Sequence, residues 1–356
     1  MSEHSLVTRR ASMWLLQSGI QKPSGGVSRF YQADRQQFRP VSNEITGYAA
    51  AGLVYLFKKT GERACMEAAV QTGWFLSREA WLEECATMPF EPGAEKVYFF
   101  DLGIISRGLL SLWRATRKRE FFELAVLCAR SMQRDFGNSL PFHPIILLPD
   151  KRPMNGGRGW SERPGCYQLK AAMAWSELAQ AGCSDCREEL FDDLLRVLLR
   201  NHSVFLDEAP DRERLMDRLH AYCYFLEGLL SAVGRPDCAQ VLEAGIRRVS
   251  ELLRQIRPVF VRSDVYAQLL RLRLYAAALG VATLDEAAAA EEAAELHSFQ
   301  MNSPDARLDG AFSFGKKAGR LMPFANPVST IFAVQAVEMW SEWQDGRFRP
   351  DVGELI

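Results

Sequence analysis

The chain has 356 residues, 48% of them hydrophobic and 24% charged, with a formal net charge of −1. That is enough apolar material for a large core, and it excludes a chain too polar to fold. The balanced charge gives no electrostatic case for nucleic acid or an anionic membrane surface, and no apolar run is long enough to span a bilayer.

In chain order, the opening stretch from Met1 to Arg10 lacks the apolar segment of a signal peptide, so a cytoplasmic protein is expected. An amphipathic helix is predicted over residues 5–18, followed by loop chemistry at Lys22-Pro23-Ser24-Gly25-Gly26. Helical periodicity then dominates, and the helices come in pairs. The predicted pairs are 44–59 with 64–82, 101–116 with 120–136, 166–181 with 188–199, 219–233 with 238–255, and 264–279 with 284–299. A last helix covers 328–343.

The first helix of each pair is apolar nearly all round, as in Ile104, Ile105, Leu109, Leu110, Leu112 and Trp113. Such a helix is buried on most sides. The second is amphipathic with a charged outer face, as in Arg247, Arg248, Glu251 and Arg254. The N-terminal helix is left to partner the last one. The expectation is a single all-α domain over residues 1–343, an (α/α)6 toroid of six inner and six outer helices. Residues 344–356 read as a frayed tail. Short turns lead from inner to outer helices. Long loops lead from outer to inner, so they gather on the face that holds the inner-helix N-termini, where function is expected.

The eight cysteines lie mostly inside helical patterns and read as buried thiols. Cys183-Ser184-Asp185-Cys186 has no second pair and no nearby histidine, so neither a metal nor a cofactor is expected.

Four segments carry a resemblance. They are Glu44-Ile45-Thr46-Gly47-Tyr48, Phe100-Asp101-Leu102-Gly103, His220-Ala221-Tyr222 with Glu227-Gly228-Leu229-Leu230, and Asp264-Val265-Tyr266-Ala267-Gln268. In order and spacing they resemble the six-hairpin glycosidase-like superfamily of (α/α)6 toroids. Within it they are most similar to proteins associated with polysaccharide metabolism. The resemblance implies a carbohydrate ligand. It leaves the reaction open, because the superfamily holds glycoside hydrolases, polysaccharide lyases and sugar epimerases.

The residues offer three readings under that resemblance. Glycoside hydrolysis needs one protonated and one ionised carboxyl. Asp101 and Asp264, with Glu44 nearby, stand at predicted inner-helix starts and supply candidates, although a carboxylate there also serves as a helix cap or dipole partner. Trp160 and Tyr98 offer rings for sugar stacking, and Glu162, Arg163, Arg262 and Asn326 offer polar contacts. The first expectation is therefore a glycoside hydrolase acting on an oligo- or polysaccharide. The second is a polysaccharide lyase or uronate epimerase, with His220 or a tyrosine as base and Arg262 or Arg163 neutralising the sugar carboxylate; Lys316 and Lys317 are further cations for that role. The third is a non-catalytic glycan-binding or scaffold subunit with partners in a polysaccharide biosynthesis system. Glu227, two turns into an apolar helix, needs a buried partner such as an arginine or a tyrosine.

Overall fold

The computed structural model describes the chain from residue 3, apart from residues 155, 158, 185–188, 208, 210 and 258 and the side chains of residues 3–5. Cys186, of the single cysteine pair, and the expected start of the helix at 188 lie outside the described residues.

Thirteen helices are present among the described residues, with three small sheets. The chain opens with α1 (Glu3–Gln17), β1 (Tyr31–Gln32) and β2 (Gln37–Phe38). The first three hairpins are α2 (Asn43–Thr60) with α3 (Arg63–Phe75), α4 (Phe99–Thr116) with α5 (Arg119–Asp135), and α6 (Gln168–Gln180) with α7 (Glu189–Asn201). Strand β3 (Lys96–Tyr98) leads into α4, β4 (Ile145–Leu147) and β5 (Arg152–Pro153) lie between α5 and α6, and the short α8 (Val204–Asp207) follows α7. Next come α9 (Arg212–Leu229) with α10 (Pro236–Ile256), then β6 (Phe260–Arg262) leading into α11 (Ser263–Ala278), and α12 (Glu286–His297). The last segment holds β7 (Gly315–Lys317), β8 (Arg320–Leu321), β9 (Phe324–Ala325) and α13 (Pro327–Gln344). Among the described residues no helix is long and apolar enough to cross a membrane.

The chain divides into two compact units, one of residues 22–28 and 40–207, the other of residues 1–21, 29–39 and 208–356. In the 40–207 unit, α4 lies between α2 and α6, and residues Phe99 to Leu110 are all buried. Two glycines allow that approach. A Cβ at Gly108 would stand 2.2 Å from the Gly47 carbonyl oxygen, and one at Gly103 would stand 2.5 Å from Ala171. Here the backbones touch without side chains between them.

In the 208–356 unit the inner helices α9, α11 and α13 are tied by one fully buried arginine. Arg271 donates through Nη2 to Glu227 Oε1 at 2.7 Å and through Nη1 to Gln335 Oε1 at 2.8 Å. Glu227 thus has the arginine partner its burial requires. The same Nη1 donates to the Ile356 carbonyl oxygen at 3.2 Å. Residues 344–356 are accordingly docked rather than frayed. Phe348, Leu355 and Ile356 are buried, Tyr275 donates its hydroxyl to the Asp351 carbonyl, and Gln335 donates to the Glu354 carbonyl. Polar side chains on the inner helices take up the tail's backbone groups, which a reading of the tail alone misses.

Other expectations need correction. α9 begins at Arg212, not near 219, with Asp211 as its cap accepting from Arg214 N at 2.7 Å. Its first two turns, Arg212 to Arg218, bury only Met216, so they lack the apolar stripe that marks the other inner helices. His220 therefore sits two turns inside α9 rather than at its start. α3 stops at Phe75 and gives way to a π turn at Leu76–Ala80. The long loops also contain antiparallel sheets, in the orders β2-β1-β9, β3-β4-β5 and β6-β7-β8. Strands of two or three residues are too short for alternation to be recognised. They matter because β3 and β6 fix where α4 and α11 begin.

Gly108→Ala should destabilise the protein by about 3 kcal/mol, because the added methyl meets a backbone oxygen that cannot move aside. Gly234, where an added Cβ meets nothing within 4 Å, serves as the control, and its alanine variant should shift stability by less than about 0.5 kcal/mol. Urea denaturation of both variants checks this; equal midpoints would remove the close-approach argument.

Candidate functional site

In the 208–356 unit, strand β6 delivers Arg262, the first turn of α11 delivers Asp264, and the next turn delivers Gln268 on the same face, four residues on. α9 brings His220 against them. Arg262 grips Asp264 with two hydrogen bonds, Nε to Oδ1 at 2.9 Å and Nη2 to Oδ2 at 2.6 Å. Its Nη1 donates to Asp217 Oδ1 at 2.9 Å, and its guanidinium lies 4.5 Å from the Phe314 ring centre. Nδ1 of His220 is 2.8 Å from Gln268 Oε1 and 3.6 Å from Asp264 Oδ2. The imidazole is edge-on to Tyr224, with ring centres 4.5 Å apart. His220, Asp264, Arg262 and Gln268 are all buried.

Burial sets the protonation states. It pushes the His220 imidazole down to about 4, and the Arg262 charge pushes the same way, against the opposing pull of Asp264 and Gln268. Burial works to raise the Asp264 carboxyl, but Arg262 overcomes it and holds the carboxyl below the usual range. At neutral pH the cluster is therefore a neutral imidazole beside a carboxylate locked in an ion pair. In that state Asp264 accepts hydrogen bonds and does not donate a proton.

In the 40–207 unit, Asp101 lies buried in the first turn of α4. Next to it Phe100 meets Trp160 and Tyr167 edge-on, each with ring centres 5.8 Å apart, and Trp160 meets Tyr167 at 4.9 Å. Trp160 opens a short 3-10 turn, Trp160–Glu162, whose Glu162 Oε2 accepts from Gly159 N at 3.0 Å. Glu162 also faces Lys96 at 3.7 Å, and Arg163 Nε donates to the Gly157 carbonyl at 3.1 Å. Tyr98 ends β3 and packs edge-on to Phe90 at 5.7 Å. Glu44 is in the first turn of α2, but Ser42 is the capping residue there.

The structure thus brings Asp264, His220 and Arg262 into one cluster in the 208–356 unit. It gathers Asp101, Trp160, Tyr98, Glu162 and Arg163 around the start of α4 in the 40–207 unit. Asn326 caps α13, its Oδ1 accepting from Ser329 N at 3.0 Å. The cations considered for an anionic sugar are all engaged: Arg262 with Asp264 and Asp217, Arg163 with a carbonyl, Lys316 with Glu295 at 2.7 Å and Lys317 with Glu213 at 2.7 Å. Among the described residues no group of three or more His, Cys, Asp or Glu side chains is arranged to hold a metal ion. Gln268 is not among the sequence-predicted site residues; its signals in the sequence are its place one turn after Asp264 and in the segment that carries the resemblance.

No protein-family model and no curated protein sequence matches the chain. Solved structures do match. A sugar epimerase from a ruminal bacterium is similar with a TM-score of 0.69 at 10% identity, covering 95% of this chain and 99% of that one. A cellobiose 2-epimerase from Bacillus thermoamylovorans gives 0.68 at 9% identity over 94% and 99%. A GH76 alpha-mannanase from Bacteroides thetaiotaomicron gives 0.61 at 12% identity over 97% of each chain. These structures share the six-hairpin glycosidase-like fold, and the chain has that all-α, (α/α)6 toroid fold.

His220 titrates at about 4 in the folded chain against 6.5 for an unperturbed histidine. As pH falls through 6.5 the unfolded chain takes up the proton first, so stability present above that pH is lost down to about 4. The expected loss is about 3 kcal/mol. His220→Gln should lack that component, and the difference is read from denaturation midpoints at pH 7 and pH 4.5. Parallel pH dependences in both proteins would mean that His220 is not held neutral by burial.

Proposed function

We propose that the protein is a carbohydrate-active enzyme that moves a proton on an uncharged reducing sugar, with His220 as the proton-transfer group. The observation that carries this reading is the buried, neutral imidazole whose Nδ1 is engaged by Gln268 Oε1 at 2.8 Å. With Nδ1 protonated, Nε2 is the basic atom.

In the open-chain form of an aldose, the carbonyl at C1 acidifies the proton on C2. His220 Nε2 takes that proton and leaves an enediolate with its charge on O1. Return of a proton to the opposite face of C2 gives the epimer, and its return to C1, with the O2 proton passed to O1, gives the ketose. Each route conserves atoms and needs no redox partner. A neutral base is suited to this chemistry. Two of the three similar structures carry the name of epimerases. The engaged state of Arg262, Arg163, Lys316 and Lys317 favours an uncharged sugar over a uronate. A cytoplasmic location fits a short reducing oligosaccharide better than bulk polymer.

Glycoside hydrolysis is the second reading. It rests on Asp101, whose helix start lies beside the Phe100, Trp160 and Tyr167 rings, and on the likeness to the mannanase. Asp264 supports it poorly, because a carboxyl held ionised by Arg262 is not a general acid.

Incubation with mannose, glucose, cellobiose and mannobiose in D2O, followed by proton NMR, tests the reading. Loss of the C2 proton signal is expected, and His220→Gln should slow it by about 10^2- to 10^4-fold. The rate should be level from about pH 5 upward and fall as His220 protonates near pH 4. New reducing ends without deuterium uptake would replace this reading with hydrolysis. Neither change on any sugar would leave a binding protein.

A further inference from the structure

A neutral imidazole has two tautomers, and only the one protonated on Nδ1 presents Nε2 as a base. Two neighbours of His220 bear on that choice. The first is Gln268, fully buried on α11, whose Oε1 lies 2.8 Å from Nδ1. An amide oxygen accepts and never donates, so in this orientation it requires a proton on Nδ1. Rotating the amide by half a turn would put an N–H there and require the other tautomer. The second neighbour decides between them. Asp264 Oδ2 is 3.6 Å from the same Nδ1, and Arg262 holds that carboxylate ionised with two hydrogen bonds. A negative charge disfavours a lone pair on Nδ1 and favours a proton there. Both neighbours therefore select one state. Gln268 Nε2 is buried and finds no hydrogen-bond partner among the described residues. A buried methionine or leucine would avoid that cost, so the amide at this position is useful through its oxygen.

We propose that Gln268 is a positioning residue: its side-chain oxygen, backed by the Arg262–Asp264 pair, locks His220 in the Nδ1-protonated tautomer and so fixes Nε2 as the nitrogen that meets the sugar. The inference rests on the reading of His220 as the proton-transfer group. The charged groups around His220 are Asp264 at the start of α11, Arg262 at the end of β6 and Glu227 further along α9, with Asp217 reaching it through Arg262. Arg262 thus has a part different from binding a sugar carboxylate. It cancels Asp264, which alone would draw a second proton onto His220 and abolish the base.

The test uses the full chain with 15N-labelled histidine, and His220 is assigned by the signals that vanish in His220→Gln. At pH 7, long-range proton–nitrogen spectra should show a pyrrole-type Nδ1 and a pyridine-type Nε2 for His220. In Gln268→Met the two nitrogens should move toward averaged values, and kcat should fall about 10- to 100-fold with KM within about 3-fold. Gln268→Glu, which still accepts from Nδ1, should restore the single tautomer and move the acid limb of the rate profile up by about one pH unit or more. A wild-type spectrum with the proton on Nε2 overturns the inference. So does a Gln268→Met protein that keeps both its tautomer and its kcat, and that result leaves the proton-transfer reading intact. If the tautomer is locked in the wild type and lost in Gln268→Met but no sugar exchanges deuterium, the reading of His220 fails and the positioning by Gln268 stands.

Discussion

A helix buried on most sides must pair the charges that it carries, and the inner helices of this fold are such helices. An unpaired charge there costs several kcal/mol, comparable with a large part of the whole protein's stability. The structure answers with ion pairs that run between helices. Arg271 joins α11 to Glu227 on α9 and to Gln335 on α13. Arg107 on α4 meets Glu177 on α6 at 2.6 Å, and Arg114 adds a second contact to the same carboxylate at 3.0 Å. A buried pair adds little net stability over an apolar replacement, because desolvation consumes most of the Coulombic gain. Its consequence is registry. Each pair can form at one helical offset only, so the charges set where each inner helix stands along its neighbour.

The same constraint shapes the cluster at the start of α11. Asp264 can remain ionised in a buried position only because Arg262 accompanies it, and Arg262 in turn needs Asp217 and the Phe314 face. Once Asp264 and Arg262 cancel one another, little electrostatic reason is left for His220 to carry a charge. Burial then decides, and the imidazole stays neutral. The protonation state that would serve proton transfer is thus a by-product of the same rules of charge pairing by which the other inner helices are joined.

Those rules also explain which features were legible in the sequence. The all-round apolar pattern of α4 and α13 marks buried helices directly, and a lone carboxylate in such a pattern announces a buried partner, as Glu227 did. Asp101 and Asp264 stand in first helical turns because the pattern switches there from loop to helix. The start of α9 was missed because Arg212 to Arg218 carry charge that the surface tolerates, so the apolar signal begins only at Leu219. The sheets escaped because a strand of two or three residues holds one alternation at most. The docked tail escaped because its hydrogen bonds go to Gln335, Arg271 and Tyr275, between 19 and 85 residues away in sequence. The sequence alone assigns Gln268 no part, because a glutamine on an apolar helix acquires meaning only when the group facing it, here His220, is known.

Proton transfer and glycoside hydrolysis make opposite demands on a buried carboxylate. Hydrolysis needs one carboxyl whose pKa is raised, so that it still holds a proton near neutrality. Burial without a counter-ion achieves that, and Asp264 has a counter-ion at 2.6 Å. Each pKa unit of displacement corresponds to about 1.4 kcal/mol of preference for one protonation state, so a carboxyl held below its usual range works against the acid role. An imidazole used as a base needs only to be neutral and correctly oriented, and both requirements follow from neighbours that are themselves fixed. In this cluster the ion pair that disqualifies Asp264 as an acid is the ion pair that leaves His220 a base.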